Sequence, residues 1–164
     1  MIASLQEYAK HKDGTYVSFE MADHCRDMLD NFVEMNLGLS ERVDKKTYHI
    51  TVIYSRTPVP AAEQFKQNRG ITGRAVGYEI FPTKNDGKCL VMRVECPEAS
   101  NLNAILNGLG ATSDYGEYKP HVTIAYNITQ EVDPHSMPIP QFPLVFDIVN
   151  VDPLDPQFTP ENKK

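Results

Sequence analysis

Two histidine–threonine pairs are the residues of this sequence best suited to chemistry. One lies in "YHITVIYS" at 48–55, where His49 and Thr51 are one residue apart. The other lies in "KPHVTIAYN" at 119–127, where His121 and Thr123 repeat the spacing. An imidazole has an unperturbed pKa of about 6.5, so at neutral pH one ring can be neutral while a second is protonated. The neutral ring can take a proton from an attacking oxygen and the charged ring can give one to a leaving oxygen, each role contributing about 10²–10⁴ in rate. Threonine hydroxyls can hydrogen-bond the non-bridging oxygens of a phosphate as charge develops there. The set suits phosphodiester cleavage without a metal, and the sequence has no His-Glu-x-x-His and no dense His/Asp cluster.

Such pairs act together only if the fold brings them together. Side chains alternate along a strand, so His49 and Thr51 are expected on one face, with Ile50, Val52 and Tyr54 on the other. His121 and Thr123 are likewise expected opposite Val122, Ile124 and Tyr126. Upstream, "GTYVSFEM" (14–21) reads as a strand, and Met21, Cys25, Met28, Leu29, Phe32 and Val33 recur at helical spacing up to a stop at Gly38. "TGRAVGYEIF" (72–81) and "CLVMRVEC" (89–96) read as strands joined by a "KNDGK" hairpin turn. A helix follows Pro97 with Leu102, Ile105, Leu106 and Leu109 on one face. Residues 117–127 and 142–154 complete the strands, "AAEQFKQN" a short helix, and the tail after Asp155 reads as irregular.

The chain therefore repeats. Strand, helix and "HITVIYS" in the first half match strand, helix and "HVTIAYN" in the second, with 32 residues from Val17 to His49 and 30 from Val91 to His121. We expect an α+β fold of two pseudo-symmetric β-α-β lobes, with antiparallel sheets facing a central cleft and helices outside. Within one domain spanning 1–164, lobe one covers about 14–56 and lobe two about 88–127, with 57–87 and 142–154 completing the sheets.

Composition narrows the partners. The net charge is −6, with 22 acidic against 16 basic residues, which disfavours a protein that grips long DNA or RNA. No apolar run reaches the roughly 18 residues of a membrane helix, and the N-terminus lacks the basic-then-apolar layout of a secretory signal, so a cytosolic protein without membrane contact is expected. Cys25, Cys89 and Cys96 read as buried free thiols rather than a zinc site. His11, His24 and His135 fall outside the repeat and read as solvated surface.

The two motifs resemble those of the two-histidine phosphoesterase superfamily, which carries H-x-[ST] twice in duplicated lobes. Within it, "GTYVSFEM", "HITVIYSR", "GYEIF" and "GEYKPHVTIAYN" most resemble the anti-CBASS phosphodiesterases of tailed bacteriophages, over most of residues 14–154. The resemblance implies cleavage of 3′–5′ linkages in cyclic di- and trinucleotide signals in the host cytoplasm, with no metal or other cofactor. It makes His49 and His121 the acid/base pair, Thr51 and Thr123 the phosphate-binding hydroxyls, and Tyr16 a substrate contact. Tyr118, with Tyr78 and Tyr115, could offer stacking surface for bases. Lys119 could neutralise phosphate, with Lys12 and Arg74 as weaker choices, and the loop at 111–118 and the tail could close over the ligand. An acidic residue near the last strand is not securely aligned to Asp147 or Asp152, and Val149 is a third candidate for its place. Rival readings are a two-histidine enzyme acting on RNA 2′,3′-cyclic phosphates or 2′–5′ linkages, a non-catalytic cyclic-nucleotide sponge and a structural phage protein.

Overall fold

The computed structural model describes residues 5–83, 87–114 and 116–155. Among the described residues, three α-helices, α1 (Leu5–Lys10), α2 (Asp23–Asn36) and α3 (Pro97–Gly108), accompany six strands: β1 (Thr15–Met21), β2 (His49–Ser55), β3 (Gln67–Pro82), β4 (Lys88–Glu95), β5 (His121–Ala125) and β6 (Leu144–Pro153). The strands form one sheet in the order β2-β1-β6-β3-β4-β5, antiparallel at every pairing. The α+β expectation holds, and the repeat appears as β1-α2-β2 and β4-α3-β5. The two halves are continuous because β3 is long: Gln67–Gly73 pairs with β6 and Arg74–Pro82 with β4. Its strand begins five residues before the expected one, since "QNRGI" finds a partner in β6.

Each element follows from its residues. In α2, Cys25, Leu29 and Val33 recur every four positions and are all buried. In α3, Pro97 opens the helix, where its missing N–H is no loss, and Ala99, Leu102, Asn103 and Leu106 form the buried face. Both helices cover the apolar side of the sheet, where Phe19, Ile50, Met92, Val122, Phe146 and Val151 are almost fully enclosed. Burial of each such side chain stabilises the fold by about 1.5–3 kcal/mol. All three cysteines are free and buried, as their sequence settings suggested. "AAEQFKQN" yields only a 3-10 helix, Pro60–Phe65. The last motif strand is shorter than expected because Lys119 and Pro120 precede the ladder. Lys84, Asn85 and Asp86 of the hairpin turn, Tyr115, and the tail after Asp155 lie outside the described residues.

His11 is the largest departure. It is fully buried, not solvated: its Nδ1 lies 3.1 Å from Thr15 Oγ1 and its Nε2 2.9 Å from Glu63 Oε1. Lys10 reaches the same carboxylate oxygen at 2.7 Å. Burial works against Glu63 ionisation, but the hydrogen bonds from Lys10 and His11 outweigh it and hold the carboxyl below its ordinary range. Thr15 Oγ1 also accepts the Val59 N–H at 2.9 Å, so this cluster ties α1 and the 59–65 segment to the start of β1. His24 and His135 are exposed, as expected.

Gly14 leads into β1 with φ of +126°, and a Cβ there would stand 2.1 Å from Ser55 O. Gly14→Ala is expected to lose about 1–3 kcal/mol from the backbone alone, with the clash added. A urea titration should show a lower midpoint at unchanged slope; an unchanged midpoint would show that this turn tolerates a side chain.

Candidate active site

The sheet's polar side carries the candidate site. Cross-strand partners share a face, so the register places each side chain. On lobe one, Ser18 lies opposite Thr51 and Glu20 opposite His49, while Phe19 faces Ile50 on the apolar side. On lobe two, Val91 lies opposite Thr123 and Arg93 opposite His121, with Met92 and Val122 on the apolar side. His49, Thr51, His121 and Thr123 are all partly exposed, and Ile50, Val52, Val122 and Ile124 are buried between and beside them. Both His/Thr pairs thus open onto the same side of one sheet. They stand on its two edge strands, and β2 and β5 are in contact.

Each imidazole is held the same way. His49 Nδ1 lies 2.5 Å from Thr47 O, and His121 Nδ1 lies 2.7 Å from Lys119 O. A carbonyl can only accept, so each Nδ1 carries the proton and each Nε2 is the atom that can exchange protons with a ligand. The carbonyl belongs in both cases to the residue two positions earlier, so the motif sets its own tautomer.

Each motif also contains a β-bulge. Between the pairs Ser18↔Thr51 and Val17↔Ile53, Val52 has no partner; between Val91↔Thr123 and Leu90↔Ala125, Ile124 has none. The bulge changes one expectation. Tyr54 pairs with Tyr16, so it lies on the polar side with Thr51 and not with Val52. The two tyrosine rings meet edge-on at 6.2 Å, and the Arg56 guanidinium sits 5.6 Å from the Tyr54 centroid. The carbonyls around the bulges are satisfied from the opposite half. Thr51 O accepts from Tyr118 Oη at 2.8 Å, Val52 O from Asn103 Nδ2 at 2.8 Å, and Ile124 O from the Val43 N–H at 2.8 Å.

The surroundings of the two histidines differ in charge. Arg93 pairs with Glu79, whose other carboxylate oxygen lies 3.7 Å from Lys119 Nζ. Phe81 meets the His121 ring edge-on at 5.0 Å. Burial lowers the His121 pKa below its ordinary value; the Lys119 carbonyl opposes this, Arg93 lowers it further and Glu79 raises it. Across from His49 the cross-strand residue is instead the carboxylate Glu20.

The other candidates fall as follows. Tyr16 Oη is 3.1 Å from Thr51 Oγ1, and burial raises its pKa, partly offset by the Thr51 hydrogen bond. Tyr118 is partly exposed, but its hydroxyl is committed to Thr51 O. Lys119 is exposed beside Glu79. Tyr78 is corrected: it faces the apolar side opposite Met92, is buried, and donates its hydroxyl to Pro138 O at 2.8 Å, so it offers no stacking surface. Arg74 is paired with Glu95 at 3.2 Å. Asp152 lies opposite Tyr16 on the polar side, Asp147 is exposed at a register shift, and Val149 is in the core. Residues 111–114 are pinned to the end of β2: the Thr112 N–H donates to Ser55 Oγ at 3.0 Å, and Arg56 pairs with Asp114 at 2.8 Å. Glu79 and Arg93 went unnoticed in the sequence, although alternation in "CLVMRVEC" from Val91 would have placed Arg93 on the polar side.

This architecture is the two-histidine phosphoesterase fold. Solved structures share it: TT0787, a protein of Thermus thermophilus, superposes with a TM-score of 0.59 at 11% identity, covering 84% of this chain and 86% of its own. E. coli LigT complexed with 3′-AMP superposes with a TM-score of 0.56 at 13% identity, covering 86% and 94%. Residues 13–161 match the family described as Anti-CBASS protein Acb1, and the chain belongs to that family. Its relatives include the Anti-CBASS protein Acb1 of Salmonella phage S16, 26% identical over 97% of this chain and 100% of that protein. That of Enterobacteria phage T4 is 28% identical over 76% and 79%. Family and fold together make the chain an Anti-CBASS protein Acb1 family member built on the two-histidine phosphoesterase fold. Among the described residues, no helix is long and apolar enough to cross a membrane.

Tyr16→Phe removes the hydroxyl beside Thr51 and keeps the ring. One neutral hydrogen bond is worth about 0.5–1.5 kcal/mol, so kcat/KM should fall roughly 2- to 10-fold with the fold intact by circular dichroism. An unchanged kcat/KM would remove Tyr16 from the orientation of Thr51.

Proposed function

We propose that the chain opens cyclic di- and trinucleotides at a 3′–5′ linkage, using the ligand's own ribose as nucleophile. The observation that carries this reading is the pair of imidazoles, each with Nδ1 tied to a backbone carbonyl and a threonine two residues on, facing one side of the sheet on adjoining strands. His121 Nε2, in the half whose burial and Arg93 favour the neutral ring, takes the proton of the free 2′-OH. The 2′ oxygen attacks phosphorus, the bond from phosphorus to the 5′ oxygen breaks, and protonated His49, across from Glu20, gives that oxygen its proton. The product is a linear nucleotide with a 2′,3′-cyclic phosphate and a 5′-OH. Water can then open that ester with the histidine roles exchanged.

Thr51 and Thr123 donate to the non-bridging oxygens, and no metal is needed because both proton transfers have a protein partner. Tyr16 and the exposed part of the Tyr118 ring contact the ligand, and Lys119 neutralises a phosphate. Both halves work as one catalytic unit on small nucleotides. The acidic balance argues against long nucleic acid, and the host cytoplasm is where such signals would be met.

Incubation with 3′,3′-cyclic GMP-AMP in EDTA should give linear product on chromatography. An intact ligand, with linear RNA 2′,3′-cyclic ends opened instead, would favour the RNA enzyme; tight binding without turnover would favour a sponge. His49→Ala and His121→Ala should each lose at least about 10²-fold in kcat, and a 2′-deoxy ligand should resist cleavage.

The pH profile tests the role assignment. His121 acts as base only when neutral, so the acid limb of kcat/KM should lie below about 6.5. Arg93→Gln removes a cation that disfavours imidazolium, so that limb should move to higher pH; an acid limb that stays in place while the alkaline limb moves up would reverse the assignment.

A further inference from the structure

Asn103 is a polar residue in an apolar place. It shares the buried face of α3 with Ala99, Leu102 and Leu106, is only 8% exposed, and lies outside the polar side of the sheet. Enclosing an amide without partners would cost stability, and asparagine is a poor helix former, so packing and propensity both argue against it here. Its hydrogen bonds explain its presence. Nδ2 donates to Val52 O at 2.8 Å, and Oδ1 accepts from Asn107 Nδ2 at 3.0 Å. Val52 is the bulge residue directly after Thr51.

The second motif has the same bulge at Ile124, but a backbone amide, that of Val43, holds its carbonyl. Only the first motif depends on a side chain for this contact, and that side chain comes from the other half of the repeat. A bulge sets register, and a slip of one residue turns every side chain to the other face.

We propose that Asn103 is a positioning residue: its amide locks the Val52 bulge and thereby sets where His49 and Thr51 stand relative to His121 and Thr123. Asn107 braces it by orienting the amide so that nitrogen faces Val52. The proposal rests on the reading that His49 does proton transfer, but the contact itself does not.

Asn103→Leu and Asn103→Asp remove the donor at nearly constant size, and Asn107→Ala removes the brace from the exposed side of the helix. Displacing a reacting group by about 1 Å can cost on the order of 10² in rate. Turnover of 3′,3′-cyclic GMP-AMP by the Asn103 variants should show kcat lowered about 10- to 100-fold, with KM within about threefold. Asn107→Ala should lose about two- to fivefold in kcat at unchanged Tm. In 1H–15N spectra of the imidazoles, His49 should shift in all three variants and His121 should not.

A kcat within about twofold of the parent in Asn103→Leu, or a loss that simply follows the unfolded fraction, would overturn the proposal. If the Asn103 variants do not fold, an unmoved His49 resonance in Asn107→Ala overturns it instead. His49→Ala run alongside separates the two readings: parental turnover there sinks the functional reading, whereas an inactive His49→Ala beside a fully active Asn103→Leu sinks only the positioning role. Imidazole spectra report position even without turnover.

Discussion

Three carbonyl oxygens on the two edge strands are each met from the opposite half of this molecule. A strand at the edge of a sheet has backbone groups with no neighbour, and a bulge adds more. Here the two edge strands are also the two that carry the His/Thr pairs. Thr51 O, Val52 O and Ile124 O would all lack ladder partners, and each is met from the opposite half, by Tyr118, Asn103 and the Val43 N–H. Further out, Gln130 Oε1 accepts from Ser40 N and Oγ, and Gln130 Nε2 donates to Gly38 O, continuing the same seam. The candidate site therefore lies on a junction of edges, beside the oxygens satisfied in this way.

The junction is symmetric in backbone and asymmetric in charge. Both histidines donate Nδ1–H to the carbonyl two residues back, and both threonines precede a bulge. The equivalent cross-strand neighbours are nevertheless opposite in sign, Glu20 beside His49 and Arg93 beside His121. On the proposed reading one histidine is the acid and the other the base; these need different protonation at the same pH, and duplicated backbone cannot supply that difference. Side chains that diverged on a repeated scaffold can. The protein's overall negative charge leaves room for this local arrangement, because Glu79 gathers Arg93 and Lys119 on one flank.

Much of the fold was legible because local periodicity carries it. The alternation in "YVSFEM" and "HVTIA", the four-residue spacing of Cys25, Leu29 and Val33, and Pro97 at a helix start each report a contact within a few residues. The readings that failed were those set by distant residues. His11 resembles a loop histidine until Glu63, 52 positions on, and Thr15 enclose it. Tyr78 resembles an available aromatic until Pro138 takes its hydroxyl. Strict alternation puts Tyr54 in the core, and the bulge at Val52 turns it to the other side.

The sequence by itself determined the two His-x-Thr pairs, their repetition in matched units, and the face each pair occupies up to the threonine. Covalent spacing and the pleat decide those, and both act over two or three residues of chain. Only the tertiary structure decided that β3 joins the halves into one sheet, that the edge strands meet, that Val52 and Ile124 bulge, and that Arg93 is the cross-strand partner of His121. Those depend on pairing register and on partners tens of residues away, where no short-range pattern records which oxygen a given amide will meet.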